Sequence, residues 1–137
     1  MSEVKTNKLT GTSTAGSILV TGEGNSTTTN LQQGLAKAWH RYQTSTSNLT
    51  LDSLNISSFT DSATGKDTHS FTNSFGSVNI VTSGSGGRTL YVGIDDGNTD
   101  TAGGASTTGG VPTISYNYQG NLYDDNQASC MFKGDLA

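Results

Sequence analysis

The sequence predicts an all-β protein: an antiparallel β-sandwich of jelly-roll-like type, with an extended N-terminal arm and one short helix. Three observations carry that expectation. The 137 residues include 22 Thr, 18 Ser, 18 Gly and 11 Asn against two Glu and five Lys, so the residues that normally fill surface helices are scarce, while Thr suits strands and Gly suits turns. From Trp39 onward, six or seven short runs alternate apolar with polar residues between turn-forming clusters, which is the period of half-buried strands. Apolar residues make up only 31% of the chain, against roughly 45–50% in ordinary domains on a count that includes Gly. The chain is therefore either an unusually polar domain or one that completes its core by association.

The arm comprises residues 1–30, and residues 31–137 form the domain. After Met1, the sizeable apolar residues of the arm are Val4, Leu9, Ile18, Leu19 and Val20. Residues 4–10 and 17–21 read as two short strands separated by the turn-rich stretch 11–16. Two such strands cannot build a core alone, so Val4, Leu9, Ile18 and Val20 are candidate attachment residues that dock on a neighbouring copy or a larger particle. Residues 22–30 read as a linker.

The segment Leu31-Gln-Gln-Gly-Leu-Ala-Lys-Ala-Trp39 organises the rest of the chain. Leu31, Leu35 and Trp39 stand at i, i+4 and i+8, on one face of a helix, and Asn30 is a good N-cap. Gly34 costs about 1 kcal/mol relative to Ala, so burial of Leu35 and Trp39 must hold the helix. These three residues are candidates for packing at a trimer axis or between arm and head. The helix is expected to pass directly into a first strand at Trp39.

Residues 49–51 and 54–56 alternate on opposite parities, which a bulge at Asp52 and Ser53 would reconcile. A hairpin comes next, with strands over 54–60 and 68–75 and a loop containing Gly65; His69, Phe71, Asn73 and Phe75 share a face, His69 being expected half exposed. Residues 78–82 read as a strand, 83–87 as a flexible turn, and 90–94 as a strand with Leu90, Val92 and Ile94 on one side. The irregular stretch 95–110 is long enough to be functional. Ile114, Tyr116 and Tyr118 alternate in the next strand, and residues 128–133 close the domain.

Candidate chemistry is sparse. His40, His69 and Cys130 lack the spacing of a zinc site, and the single Cys130 excludes an intrachain disulfide. No Gly-x-Ser-x-Gly elbow supports a hydrolytic triad, and no Gly-rich loop ends in the lysine of a phosphate cradle. Asp95, Asp96, Asn98 and Asp100 have the oxygen chemistry of a hard-cation site, but Thr101 stands where the EF-hand pattern needs Gly; they are read as a solvated, possible host-facing loop with Asp96-Gly97 as its turn. Tyr91, Tyr116, Tyr118 and Tyr123 have the chemistry of a carbohydrate-binding surface or of strand cover. With two Glu and no paired acids in view, an enzymatic role is not expected, nor are a metal or a cofactor. The net charge of −4 and pI near 4.8 argue against nucleic-acid or anionic-membrane binding. No apolar run suggests membrane insertion, and the start Met1-Ser-Glu-Val-Lys5 suggests synthesis in a cytoplasm without an export signal.

Five stretches carry a resemblance: Glu3-Val-Lys-Thr-Asn-Lys-Leu-Thr-Gly11, the organising segment 31–39, Asp52-Ser-Leu-Asn-Ile-Ser-Ser-Phe-Thr-Asp-Ser-Ala-Thr-Gly65, Phe71-Thr-Asn-Ser-Phe75 and Gly134-Asp-Leu-Ala137. Together they resemble short fibre-like virion structural proteins, of tail-fibre or head-fibre type, from marine tailed bacteriophages. The resemblance implies an N-terminal segment for attachment or trimerisation and a β domain exposed to the medium, and it carries over no catalytic residue. The expected partners are the chain itself as a homotrimer, other capsid or tail proteins, and a host-surface glycan or protein. Made in the host cytoplasm and located on the virion, it would serve host adsorption as a fibre-like appendage; capsid decoration through the arm and a free carbohydrate-binding module are the alternatives.

Overall fold

The structure, a computed structural model, describes residues 4–11, 18–21, 28–31, 35–95 and 104–135. The chain divides into two compact units, residues 1–35 and 36–137. In the first, β1 (Leu19–Thr21) and β2 (Thr28–Asn30) form an antiparallel two-stranded ribbon, extended by a hydrogen bond from Leu31 N to Ile18 O. Residues 4–11 are not a strand; Thr6 and Lys8 form a local side-chain turn there.

The second unit packs two antiparallel four-stranded sheets. One runs in the order β4 (Leu49–Leu54), β3 (Ala38–Gln43), β10 (Ala128–Lys133), β7 (Val81–Gly86); the other runs β5 (Ile56–Ala63), β6 (Lys66–Phe71), β9 (Gly110–Asn117), β8 (Thr89–Ile94). This is the expected all-β sandwich. In its second half β7 pairs β10 in one sheet while β8 pairs β9 in the other. The first half is two simple hairpins, β3–β4 and β5–β6.

Strand alternation sorts the side chains. Ala38, His40 and Tyr42 of β3, Asp67, His69 and Phe71 of β6, and Ala128, Cys130 and Phe132 of β10 are buried at alternate positions, as a period of two requires. With Phe75, Ile80, Val92 and Val111 they form the core. The strand beginning near Trp39 is as expected, but the helix leading into it is not: Leu35, Ala36 and Lys37 are non-helical, and of the predicted helix Leu31 alone is helical among the described residues. Pairing to β10 and β4 overrides the i, i+4 spacing, because Trp39 is fixed opposite Met131 and Leu54, on the outer face. Leu31, Leu35 and Trp39 therefore share no helical face.

Four further expectations change. The parity conflict in β4 is relieved by a register shift at Leu51, opposite Arg41 and Tyr42, one residue before the expected bulge. Residues 83–86, expected to be a turn, belong to β7, where Gly84 lies so close to Ser129 O and Cys130 Cα that a Cβ has no room. In β9 the alternation of Ile114, Tyr116 and Tyr118 does not carry through: Ile114 is buried, Tyr116 is half-buried and Tyr118 is exposed beyond the strand end, while Val111, Thr113 and Ser115 are buried as well. Asn73 is exposed, apart from the buried His69, Phe71 and Phe75.

The chain changes sheet at tight corners. Between β4 and β5 stands only Asn55, at φ 58°, a left-handed conformation that Asn tolerates better than most residues. Its side chain donates to Asn73 O (3.0 Å) and accepts from Asn73 N (2.7 Å). Between β5 and β6 the turn is Thr64-Gly65, with Gly65 at φ 66° and its N–H donated to Asp124 Oδ1. If the alternation of β10 is as described, Phe132→Ala, which empties a fully buried site, destabilises the protein by about 3–5 kcal/mol. Met131→Ala, at an outer-face residue 38% exposed, costs below about 1 kcal/mol. Urea titration of the two variants checks both values.

Candidate functional site: a sealed histidine pair and an outer trough

The two histidines, 29 residues apart, meet between the sheets. His40 Nδ1 lies 3.0 Å from His69 Nδ1, His40 Nε2 lies 2.9 Å from Thr50 Oγ1, and His69 Nε2 lies 3.0 Å from Thr113 Oγ1. Both rings have zero exposure, which corrects the half-exposed expectation for His69. Two imidazole nitrogens at hydrogen-bond distance need one proton between them, so one ring donates through Nδ1 and the other accepts. Each neutral ring then carries its remaining role, donor or acceptor, to its threonine hydroxyl, and the chain Thr50–His40–His69–Thr113 is fully satisfied. Tyr42 stacks on His40 at 4.9 Å and Phe59 on His69 at 5.3 Å, with Phe132 at 5.4 Å.

Burial sets the charge states here. It lowers His40 to about 4; burial, followed by the neighbouring His40, lowers His69 to about 3. Burial, then Asp61 and Asp124, raises Asp67 to about 7 against the opposing effect of the Tyr42 hydroxyl. Burial likewise raises the Cys130 thiol, which lies 3.8 Å from His69 Nε2, and an enclosed neutral thiol is inert. Among the described residues, no group of three or more His, Cys, Asp or Glu is placed to hold a metal. The histidine pair is therefore a structural centre without access to a substrate.

Asp95, first of the possible host-facing residues, is also buried, its carboxylate 3.3 Å from Lys66 Nζ with both side chains 2% exposed. Asp96, Asn98 and Asp100 lie outside the described residues. The arm residues stand differently: Val4 is 89%, Leu9 62% and Val20 50% exposed, with Ile18 half-buried. Leu35 is exposed, Leu31 and Trp39 are half-buried, and Tyr91 and Tyr118 are exposed on the other sheet or beyond it.

The outer face of the β4–β3–β10–β7 sheet holds a feature that sequence reading missed. Trp39, Arg41, Ser83, Ser85, Ser129 and Met131 border a depression of about 580 Å³. Arg41, Ser85 and Ser129 also border the next, of about 280 Å³, which reaches Gly87 and Gln127. Those two residues border a third of about 400 Å³, with Arg88, Tyr123, Asp125 and Asn126. Through these shared residues the three adjoin one another as a trough along β10 and past the β7–β8 corner. Arg41 Nη2 donates to Gln127 Oε1 at 3.0 Å.

Asp125 builds the far end. Its Oδ2 accepts from Arg88 N and Thr89 N, both at 2.8 Å, and its Oδ1 accepts from Gln127 N at 3.0 Å. Burial alone would raise this carboxyl, but those backbone donors hold it below the usual range. The only sequence signal for the trough is the unpaired parity of Trp39 and Arg41 within one strand, and no spacing rule joins them to residues 83–88 or 123–131.

The histidine pair gives stability a definite pH dependence. A lowered histidine takes up its proton only on unfolding, so its contribution is complete above about 6.5 and is lost as pH falls. Asp67 acts oppositely, because the folded state keeps its proton between about 3.8 and 7. Between pH 4.5 and 6 the unfolded chain thus binds two extra protons and the folded chain one, a net of one, or about 1.4 kcal/mol lost per pH unit on acidification. In thermal melts across this range, Asp67→Asn steepens the slope to about twice that, and His40→Gln removes most of it. Parallel slopes in all three proteins would contradict the assignment.

Compared with known families, curated proteins and solved structures, the chain finds no match.

Proposed function

We propose that this chain is a virion structural protein of a tailed bacteriophage: a homotrimeric, fibre-like appendage of tail or head whose β unit is presented for host-surface adsorption. The observation that carries the reading is the contrast between the two units. Residues 36–137 bury a core of their own. The arm's two three-residue strands pair with each other, and Val4, Leu9, Leu19 and Val20 are each at least half exposed. A ribbon of that size is marginal by itself, and its apolar side chains suit cover by another chain. The five sequence stretches that resemble fibre-like phage proteins supply the particle to which such an arm would belong.

Association then works through the arm and the sheet faces, since the β unit needs no core residue from a neighbour. The same arm suits a decoration protein stapled to a capsid, which is the second reading. A free carbohydrate-binding module, a third, is favoured by the outer trough. An enzymatic role has no support from the sealed histidine pair.

A gold-binding tag on Ala137, imaged on whole particles by electron microscopy, separates these readings. Label at the tail or on a projecting head fibre is the expected result, label spread evenly over the head supports decoration, and unlabelled particles overturn the virion reading. In analytical ultracentrifugation at micromolar concentration the purified protein sediments as a trimer, and Leu19→Asp with Val20→Asp shifts it to a folded monomer. A wild-type monomer would refute the trimer.

A further inference from the structure

Both arginines of the chain, its only tryptophan and Tyr123 border the adjoining depressions that run from the outer face of the β4–β3–β10–β7 sheet past its β7–β8 corner. We propose that this trough, from Trp39 to Tyr123, is a binding site for an acidic oligosaccharide. The inference rests on the adsorption reading for its biological setting, and on the trough alone for its chemistry.

The lining is matched to a chain of sugar rings. Trp39 with Met131 at one end and Tyr123 at the other offer apolar faces with polar rims, the kind of surface on which the C–H face of a pyranose lies. Between them stand the hydroxyls of Ser83, Ser85 and Ser129, of which Ser129 Oγ donates to Ser85 O at 3.1 Å. Met131 to Ala128 within β10 spans three residues, or about 10 Å at the rise of an extended strand, and the lining continues beyond it to Gln127 and Asn126. That length suits an oligosaccharide rather than a single ring.

Charge selects the acidic class. The protein carries a net charge of −4, yet the charged side chains that border the trough are Arg41, Arg88 and Asp125, His40 being turned into the core and neutral. The Asp125 carboxylate is already occupied by three backbone N–H groups. Among the described residues Arg41 donates only to the neutral Gln127, and the Arg88 guanidinium has no hydrogen-bond or ion-pair partner. A guanidinium offers five donors in a planar fork that fits a carboxylate through two of them. An apolar peptide or the sheet face of a second copy would cover two guanidinium groups that have no ion-pair partner among the described residues, which is costly. A uronic-acid oligosaccharide pairs both and leaves its hydroxyls to the serines.

The test uses the full-length protein, whose only tryptophan lies at the trough. Oligogalacturonate and oligoalginate fractions are titrated against intrinsic fluorescence and by calorimetry, beside neutral maltooligosaccharides and oligoglutamate as a charge-matched peptide. The expected result is a saturable fluorescence change with at least one uronic-acid fraction, weakened by salt and absent with both controls. By calorimetry, Trp39→Ala and the pair Arg41→Gln with Arg88→Gln each lower affinity about tenfold or more, with circular dichroism and thermal midpoint unchanged because all three residues lie outside the core. Lack of binding to any uronic-acid fraction, equal binding of oligoglutamate, or unchanged affinity in Trp39→Ala with the arginine pair overturns the proposal. None of these outcomes bears on the particle reading, which stands or falls with the gold label.

Discussion

The burial of two neutral imidazoles between facing sheets is the constraint around which this sandwich is built. One proton shared over 3.0 Å ties β3 to β6 across the interior, and Thr50 and Thr113 close the two ends. An unpaired ring nitrogen in that position would be costly, so both sheets are held at a spacing and register that keep the chain intact. The aromatic side chains around it answer the same demand: Tyr42, Phe59 and Phe132 pack against the rings and exclude water. A core partly lined by buried His, Thr, Ser and Asp side chains also accounts for how a chain with 31% apolar residues closes an interior.

The polar composition has a second structural use at the corners. Eight short strands that change sheet repeatedly leave backbone N–H groups without ladder partners, and small polar side chains take them up. Asn55 braces the β4–β5 corner through Asn73, Asp124 receives the turn N–H of Gly65, and Asp125 receives three donors around the β7–β8 corner. Asp125 links fold to function most directly. By committing its carboxylate to the backbone it shapes the end of the outer trough and leaves Arg88 free of an acidic neighbour's claim.

With the interior sealed, recognition must occur on surfaces, and the two units offer surfaces of different kinds. The arm presents scattered aliphatic side chains on a ribbon too small to fold by itself, the character of an assembly element. The β unit presents aromatic rings, hydroxyls and guanidinium groups in a shallow channel, the character of a ligand site. The proposed role as a particle appendage would use both, one to hold on and one to reach out.

The all-β class, the strand beginning near Trp39, the Gly65 turn and the closing strand over 128–133 were legible in the sequence, because composition, turn chemistry and period-two patterning act locally. What the sequence left open was which face of each strand turns inward, and there local cues misled. Ile114, Tyr116 and Tyr118 alternate in sequence, yet only Ile114 is buried among them, and Thr113, whose hydroxyl pairs with His69, lies fully inside. Leu31, Leu35 and Trp39 look helical, yet Trp39 is held on a strand by pairing with Met131 and Leu54. The histidine pair and the trough join residues 29 to more than 80 positions apart, a range at which no periodicity operates. Local propensity therefore determined the strands; only long-range pairing, which fixes register and hence the inward face of every side chain, decided the polar core and the exposed site.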